Sequence, residues 1–533
     1  MFRQVLDPFD NLAATATVAL LPLAVLLVLL VVLRQTAWLA ALVGSLVTFL
    51  IAWAAWDMPF DLGARAYYYG SLNGLWAVDW ITFWGLILFN TLVVTGRFDR
   101  LRAWLVAQGT ADVRIQTLLF AWAFGALLEG LVGFGYPWAV VAPLLIGLRI
   151  PDKDAIRVAA IANNAPVSYG ALGAPVIALA AVTGLPLIDL SGSIGAVVAV
   201  LALLPPFILI YLVSGKRGLR DGWPLAIVGS LGYIAGQLPV AVYLGPYLPD
   251  VIGSITCFVA LFVLIRFWRP ATVLGYGGEP VSQADIDADR NRGPALSASA
   301  VLGAWLPFLV LIGVVVAWTG PWSRLPGVSW LTLKVGAISA VSHKPIKAAF
   351  DFKPWIGGTS ILVSWLIVAV LLRLSFAQLR QIFAKTLRQI WGAALVGVFI
   401  FGLAYVYNYS GMAASLASAL SKMGDWFILF SPILGLIGVA LSGSNTSTNA
   451  MFGAVQVLVG KLRGFPPLLL PTLNSVGAEV GKPIAPQTAS VGVATTRFVR
   501  KEGEIIRHNF GWTLVILAWL LLIGVARYLA FDW

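Results

Sequence analysis

Apolar stretches of about twenty residues, the length a helix needs to cross a hydrocarbon core about 30 Å thick, recur along the whole chain and are separated by short polar or basic segments. The pattern predicts full crossings near residues 13–33, 36–56, 77–95, 155–183, 193–213, 223–241, 248–267, 299–318, 355–373, 389–407, 466–497 and 510–530. Two further segments, 114–150 and 426–462, are too long for one crossing and are interrupted midway. They read as re-entrant hairpins that enter and leave on the same side, since non-helical backbone at membrane depth is tolerated where protein or a wet cavity covers it.

The interruption in the later hairpin is a run of hydroxyls and amides, Ser442-Gly443-Ser444-Asn445-Thr446-Ser447-Thr448-Asn449. In hydrocarbon such groups cost on the order of 2 to 7 kcal/mol each unless something satisfies them. The same residue types also make ordinary turns, so a short loop outside the membrane is the competing explanation. A counterpart in the first half favours a site: Leu128-Glu129-Gly130-Leu131-Val132-Gly133-Phe134-Gly135-Tyr136-Pro137 breaks the earlier hairpin with glycines and one carboxylate. Each hairpin is followed by a broken crossing, at Asn163-Asn164-Ala165-Pro166 and at Gly481-Lys482-Pro483-Ile484-Ala485-Pro486-Gln487-Thr488. Paired broken segments in corresponding positions of two halves point to a midplane site in a secondary transporter.

Charge orients this reading. Arg34, Arg97, Arg100, Arg102, Arg149, Lys153, Arg157, Lys216, Arg217, Arg220, Arg266 and Arg269 fall in loops on one side, as do Arg373, Arg380, Lys385, Arg388, Arg497, Arg500, Lys501 and Arg507. The positive-inside rule makes that side cytoplasmic and places both termini outside. Lys461, Arg463, Lys344, Lys347 and Lys353 fall on the wrong side of the count. The organisation expected is an N-terminal transmembrane helix (1–35), a first repeat (36–214, with hairpin 114–150 and broken helix 155–183), connecting helices and loops (215–354), and a second repeat (355–533, with hairpin 426–462 and broken helix 466–497). The two repeats have opposite orientation. Gly277 to Arg292, with Glu279, Asp285, Asp287, Asp289 and Arg290, reads as a solvated linker, and 319–354 as an amphipathic surface cap.

Composition narrows the class. The 533 residues are 60% hydrophobic and 11% charged, against about 25% charged in soluble domains, so the chain is expected to be an all-α polytopic protein of the cell membrane with the lipid bilayer as its partner. A net charge of +12 invites a nucleic-acid reading, but the basic residues sit in inter-helix clusters and no nucleic-acid partner is expected. One cysteine, Cys257, and two histidines, His343 and His508, provide neither an intrachain disulfide nor a metal centre. Acidic Asp7 and Asp10 ahead of a long first apolar run argue against a cleaved signal peptide.

The candidate chemistry is anion binding. Helix ends at a buried tip offer free N–H groups and positive partial charge, and Ser444, Asn445, Thr446, Ser447 and Asn449 add neutral donors. Asn163, Asn164 and Ser168 from the first broken helix, and Lys482, Gln487 and Thr488 from the second, complete a set suited to a small carboxylate with a hydroxyl. For any one of them, a capping or interhelix bond is the simpler role. Lys482 either meets the substrate carboxylate or pairs with Glu479 one turn earlier. Glu129, among glycines in an apolar hairpin, is either a carrier of the co-transported proton or a structural acid accepting backbone N–H bonds. Asp79, beside Trp80, reads as an interfacial helix cap.

Phe124-Gly125-Ala126-Leu127-Leu128-Glu129-Gly130 with Gly133-Phe134-Gly135, Asn164-Ala165-Pro166-Val167 with Gly173 and Pro175, Asn408-Tyr409-Ser410-Gly411, Gly443 to Asn449, and Gly481-Lys482 with Ile484, Pro486 and Gln487 together resemble the bacterial lactate permease family over nearly the whole chain. The Ser444-Asn445-Thr446 run is also similar to a signature of the wider ion-transporter superfamily. The resemblance implies proton symport of lactate and glycolate, about 12 transmembrane helices plus two re-entrant hairpins in inverted-topology repeats, and an elevator mechanism. It departs from the family pattern at Asn445, where an Asp is common, at Tyr136-Pro137-Trp138, where Ala-Pro-Val is common, at Ala485, where a Ser is common, and at Glu479, which is outside the motif. The added rings either narrow the site toward glycolate or pack against a neighbouring helix. The expected activity is therefore transport of small 2-hydroxy monocarboxylates, with no catalytic residues, no resident cofactor and a proton as coupling ion. Homodimer formation is among the expected assemblies. A sodium-coupled di- or tricarboxylate carrier is the alternative within the class. A membrane enzyme would want paired acids or a metal set that the loops lack.

Overall fold

The apolar runs fold as helices because a spanning segment must satisfy its backbone internally. The computed structural model describes residues 1–108, 110–133, 135–282, 297–346, 350–494, 496–498 and 501–530. Phe134, Lys347, Arg500 and the linker residues Asp285, Asp287, Asp289, Arg290 and Arg292 lie outside the described residues. Among those described, nine helices are long and apolar enough to cross a bilayer, or ten if the bent pair Asp152–Ala162 and Val167–Thr183 counts as one span. The chain is a multi-pass membrane protein.

Several expected crossings belong to other elements. The run at 77–95 continues a helical segment that begins at Phe60 and ends at Val94, bulged into π-helix over Gly74–Asp79. Asp79 therefore lies inside a continuous segment with no free helix start to cap, and its carboxyl makes no cap hydrogen bond. The crossing at 389–407 is the apolar part of Phe376–Ser410, whose first turn is closed by a Ser375–Gln378 capping box. The crossings at 193–213 and 223–241 become Leu187–Leu201 and Pro205–Tyr243, the latter turned at Gly215 (φ 66). Gly357–Leu371 has 15 residues, roughly 22 Å of helix at 1.5 Å per residue, shorter than the hydrocarbon core.

The four interruptions are built by different local devices. Gly443 (φ 71) ends Phe427–Ser442, and the Ser444 side chain caps Asn445–Arg463 by accepting the Ser447 N–H. Gly133 and Gly135, at φ 67 and 75, separate Gly125–Leu131 from Tyr136–Gly147. Asp152–Ala162 breaks at Asn163, and the chain then passes left-handed through Ala171, Leu172 and Gly173 before resuming as helix, with a bend of 71°. Leu469–Gly481 gives way to a 3-10 turn at Lys482–Ile484 before Pro486–Val493.

The all-α expectation needs one amendment, because the surface segment 319–354 carries short strands. Leu331–Leu333 pairs antiparallel with Phe350–Phe352, and Ala337–Ile338 pairs parallel with Phe2–Arg3 at the chain start. Gln4 extends this clasp: its side chain donates to the Asn408 carbonyl at 2.5 Å and accepts the Ala340 N–H.

Close helix approach depends on small residues, as membrane packing generally does. Gly70 and Gly74 lie directly against the backbone of Phe376–Ser410, at Phe401 and Gly397. Gly435 and Gly477 bring Phe427–Ser442 and Leu469–Gly481 together so closely that a Cβ on either would overlap the carbonyl of Asn474 or Pro432. Overpacking of this kind costs about 1–3 kcal/mol. Gly477→Ala is accordingly expected to lower the melting temperature of the purified protein in detergent, and a melting temperature at or above the wild-type one contradicts this packing.

Candidate functional site

The helix Leu469–Gly481 ends at Gly481, and Lys482, still at helical angles with its N–H on the Glu479 carbonyl, begins the 3-10 turn that follows. The lysine turns to the other half of the chain. Its Nζ donates to Glu129 Oε1 at 2.5 Å across 353 residues of sequence, and the two side chains are 5% and 2% exposed. Glu129 Oε2 accepts the Asn163 amide at 3.1 Å. The pairing with Glu479 expected as one alternative is not formed; Glu479 instead accepts the Ser168 N–H at 2.8 Å.

Around this ion pair the four interruptions meet. Glu129, Gly133, Gly170, Ala171, Ser444, Asn445, Thr446 and Lys482 line a pocket of about 30 Å³. By that measure a single water takes about 10–15 Å³, so the pocket is tight. The first-turn N–H groups of Asn445–Arg463 open beside it, while the Asn445 amide is spent on the Ser475 carbonyl at 3.2 Å. Ser444 and Thr446 also border a second, larger cavity of about 260 Å³ that reaches Ser447 and Gln487 on one side and Trp38, Asp79, Thr82 and Gly397 on the other.

Not every expected site residue reaches these spaces. Asn449 donates to Ser475 Oγ at 2.9 Å and to the Pro175 carbonyl, and accepts from Asn474. Ser168 Oγ faces Ser475 Oγ at 3.2 Å. These two hold helices together behind the site, because each already has polar partners on a neighbouring segment. Asn164 bonds back to Ile161 within its own turn. Thr488 is buried against Gly135. Asn163 acts on Glu129 and is absent from the lining of both spaces. The rings at the first tip pack: Tyr136 stands edge-on to Phe89 at 4.9 Å, and Trp138 is fully buried against Gly492.

One buried acid was overlooked in the sequence. Asp250 accepts the Tyr233 hydroxyl at 2.8 Å and packs at Gly130, close enough to Glu129, Glu479 and Lys482 to interact with each. At the start of an apolar run after Pro249 it resembles an ordinary helix-start acid, so only its burial reveals it. Asp250 Oδ2 and Glu479 Oε2 find no partner among the described residues. Among these residues Lys482 is the cation serving three buried carboxyl groups, an arrangement suited to exchanging a charge or a proton when an outside anion arrives.

Residues 15–531 match the family described as L-lactate permease. The glycolate permease GlcA of Escherichia coli strain K12 is 33% identical over 538 residues, covering 96% of this chain and 96% of that protein. The L-lactate permease of Bacillus subtilis strain 168 is 32% identical over 549 residues, covering 98% and 97%. The YdaH transporter of Alcanivorax borkumensis shows a loose likeness in shape, with a TM-score of 0.45 and 14% identity over 88% of each chain. With a match that runs from the first membrane helix to the last, and relatives about a third identical over nearly their full length, this multi-pass membrane protein belongs to the L-lactate permease family.

Proposed function

We propose that the protein is a proton-coupled secondary transporter of small 2-hydroxy monocarboxylates such as lactate and glycolate. The observation that carries this reading is the buried Lys482–Glu129 pair at the junction of the four chain breaks. A carboxylate guest competes with Glu129 for the ammonium group. When it wins, Glu129 loses its counter-charge in a place where an unpaired carboxylate is costly, and it takes up a proton. The guest's hydroxyl is met by Ser444 and Thr446, and its charge by the N–H groups at the start of Asn445–Arg463. One guest anion and one proton then travel together, which is symport. Asn163 acts as a positioning residue that keeps Glu129 turned toward Lys482.

The two tips and two broken helices serve in this scheme as re-entrant hairpins and discontinuous helices of oppositely oriented repeats. They move as a unit, elevator-fashion, against a frame built on Phe60–Val94 and Phe376–Ser410. The glycine contacts between those two long helices support the frame assignment, and the cavity between them and the second tip supports a sliding boundary there.

Proteoliposomes containing the purified protein are expected to accumulate labelled lactate and glycolate under an inward proton gradient and not under a sodium gradient alone. Accumulation driven by sodium without protons favours the alternative coupling ion and removes the role given to Glu129. Glu129→Gln keeps a hydrogen-bonding partner for Lys482 but does not titrate. It is expected to lose proton-driven accumulation while preloaded vesicles still exchange substrate, so full concentrative uptake by this variant ends the proton role. Lys482→Met removes the charge that meets the guest. Losing a buried charge-assisted partner costs about 2–5 kcal/mol, so exchange is expected to need at least roughly 30-fold more substrate, and a wild-type KM contradicts the assignment.

A further inference from the structure

Asp79 projects from the π-bulge Gly74–Asp79 into the 260 Å³ cavity that lies beside the tight Lys482 pocket. It is 8% exposed, its carboxyl rests against the bare backbone of Gly397, and Oδ2 has no hydrogen-bond partner among the described residues. Ser444, Thr446, Ser447 and Gln487 line the same cavity. The cavity and the pocket share Ser444 and Thr446. A small anion that leaves or approaches Lys482 on this side passes Asp79.

Among the described residues no other charged side chain lines that cavity, whose lining includes Trp38, Thr82 and Gly397. Trp80–Val94 and Gly170–Thr183, both packed against the bulge, contain no ionisable side chain. On Phe60–Asn73 the ionisable pair Asp61 and Arg65 bond each other at the exposed helix start, and the Tyr67 hydroxyl bonds Ser45. On Phe376–Ser410, Arg380, Lys385 and Arg388 lie more than two turns before Gly397. Its Tyr405 and Tyr407 hydroxyls turn to Asn73 and Ala19. A carboxylate in this place has no counter-charge, and a second anion entering the cavity meets a like charge in a medium that screens it poorly. As a neutral carboxylic acid, the same group gains an O–H donor for an incoming carboxylate.

We propose that this cavity is a second binding position for the hydroxy-acid anion on the path to Lys482, and that the anion occupies it only when Asp79 carries a proton. The proposal rests on the reading of the chain as a carrier of hydroxy monocarboxylates. Occupancy and protonation are then linked: the competent fraction of the protein falls about tenfold for each pH unit above the Asp79 ionisation, and the apparent affinity falls with it. Asp79 supplies a proton requirement on the frame side of the site, separate from Glu129 on the tip side.

The test measures lactate exchange in proteoliposomes at equal internal and external pH, across a mildly acid to mildly alkaline series, for wild type, Asp79→Asn and Asp79→Glu. Asparagine imitates the neutral acid and cannot ionise. The expected result is that the slope of log KM against pH drops by about one in Asp79→Asn and returns toward the wild-type slope in Asp79→Glu. An unchanged slope in Asp79→Asn overturns the proposal. So does complete loss of exchange at acid pH by an Asp79→Asn protein that purifies as a monodisperse species, because the neutral side chain would then not be the competent form. If the wild type itself exchanges neither lactate nor glycolate at any pH, the substrate reading fails first, and that outcome removes the proposal with it.

Discussion

A lysine sealed from water is the constraint around which the rest of the structure is arranged. Removing an ammonium group from solvent carries a penalty of several kcal/mol that only a close, well-oriented anion offsets. The chain gives Lys482 that anion from 353 residues away. The two halves are therefore held in register by a charge contact at their centre, in surroundings where hydrophobic burial has little directional preference. Glycines at 133 and 170 leave room for the carboxyl group that answers it.

The backbone beside that contact is itself held in a costly form. Ala171 and Leu172 adopt left-handed angles, φ 47 and 58, without the freedom glycine has there, at roughly 1–2 kcal/mol each. Such strain persists only where neighbours enforce it. Here Gly173 is seated against the Pro246 backbone, and Leu172 is fully buried, its side chain beside Gly85. Because Ala171 lines the pocket, the shape of the pocket depends on the packing behind Leu172 and Gly173.

Much of this could be anticipated from residue types and much could not. The tips at Gly133 and Gly443 and the breaks at Asn163 and Lys482 were visible because polar residues and glycines interrupt apolar runs in two matching places. Which polar residue faces a cavity and which ties two helices together is decided by side-chain direction in three dimensions, so Asn449 and Ser168 looked no different from Ser444 and Thr446. The partner of Lys482 was missed for a related reason: local spacing proposes Glu479, while the true partner lies on an element that no sequence window contains. Asp79 was misjudged because a π-bulge lets one helix continue where a hydrophobicity profile shows a start. The runs at 355–373 and 466–497 are apolar over about twenty residues or more, yet the first holds a helix of only 15 residues and the second is split at Lys482–Ile484, so an apolar run does not fix the length of the helix inside it.

The clasp at the start of the chain carries a consequence for biosynthesis. Phe2 and Arg3 find their strand partners at Ala337 and Ile338, and Gln4 reaches Asn408. A ribosome delivers those partners only after several hundred further residues have been made, and a chain grows at about 5–20 residues per second. During that interval, on the order of a minute, the leading residues have nothing to pair with. Phe2, Arg3 and Gln4 therefore settle late, once Ala337, Ile338 and Asn408 have been made.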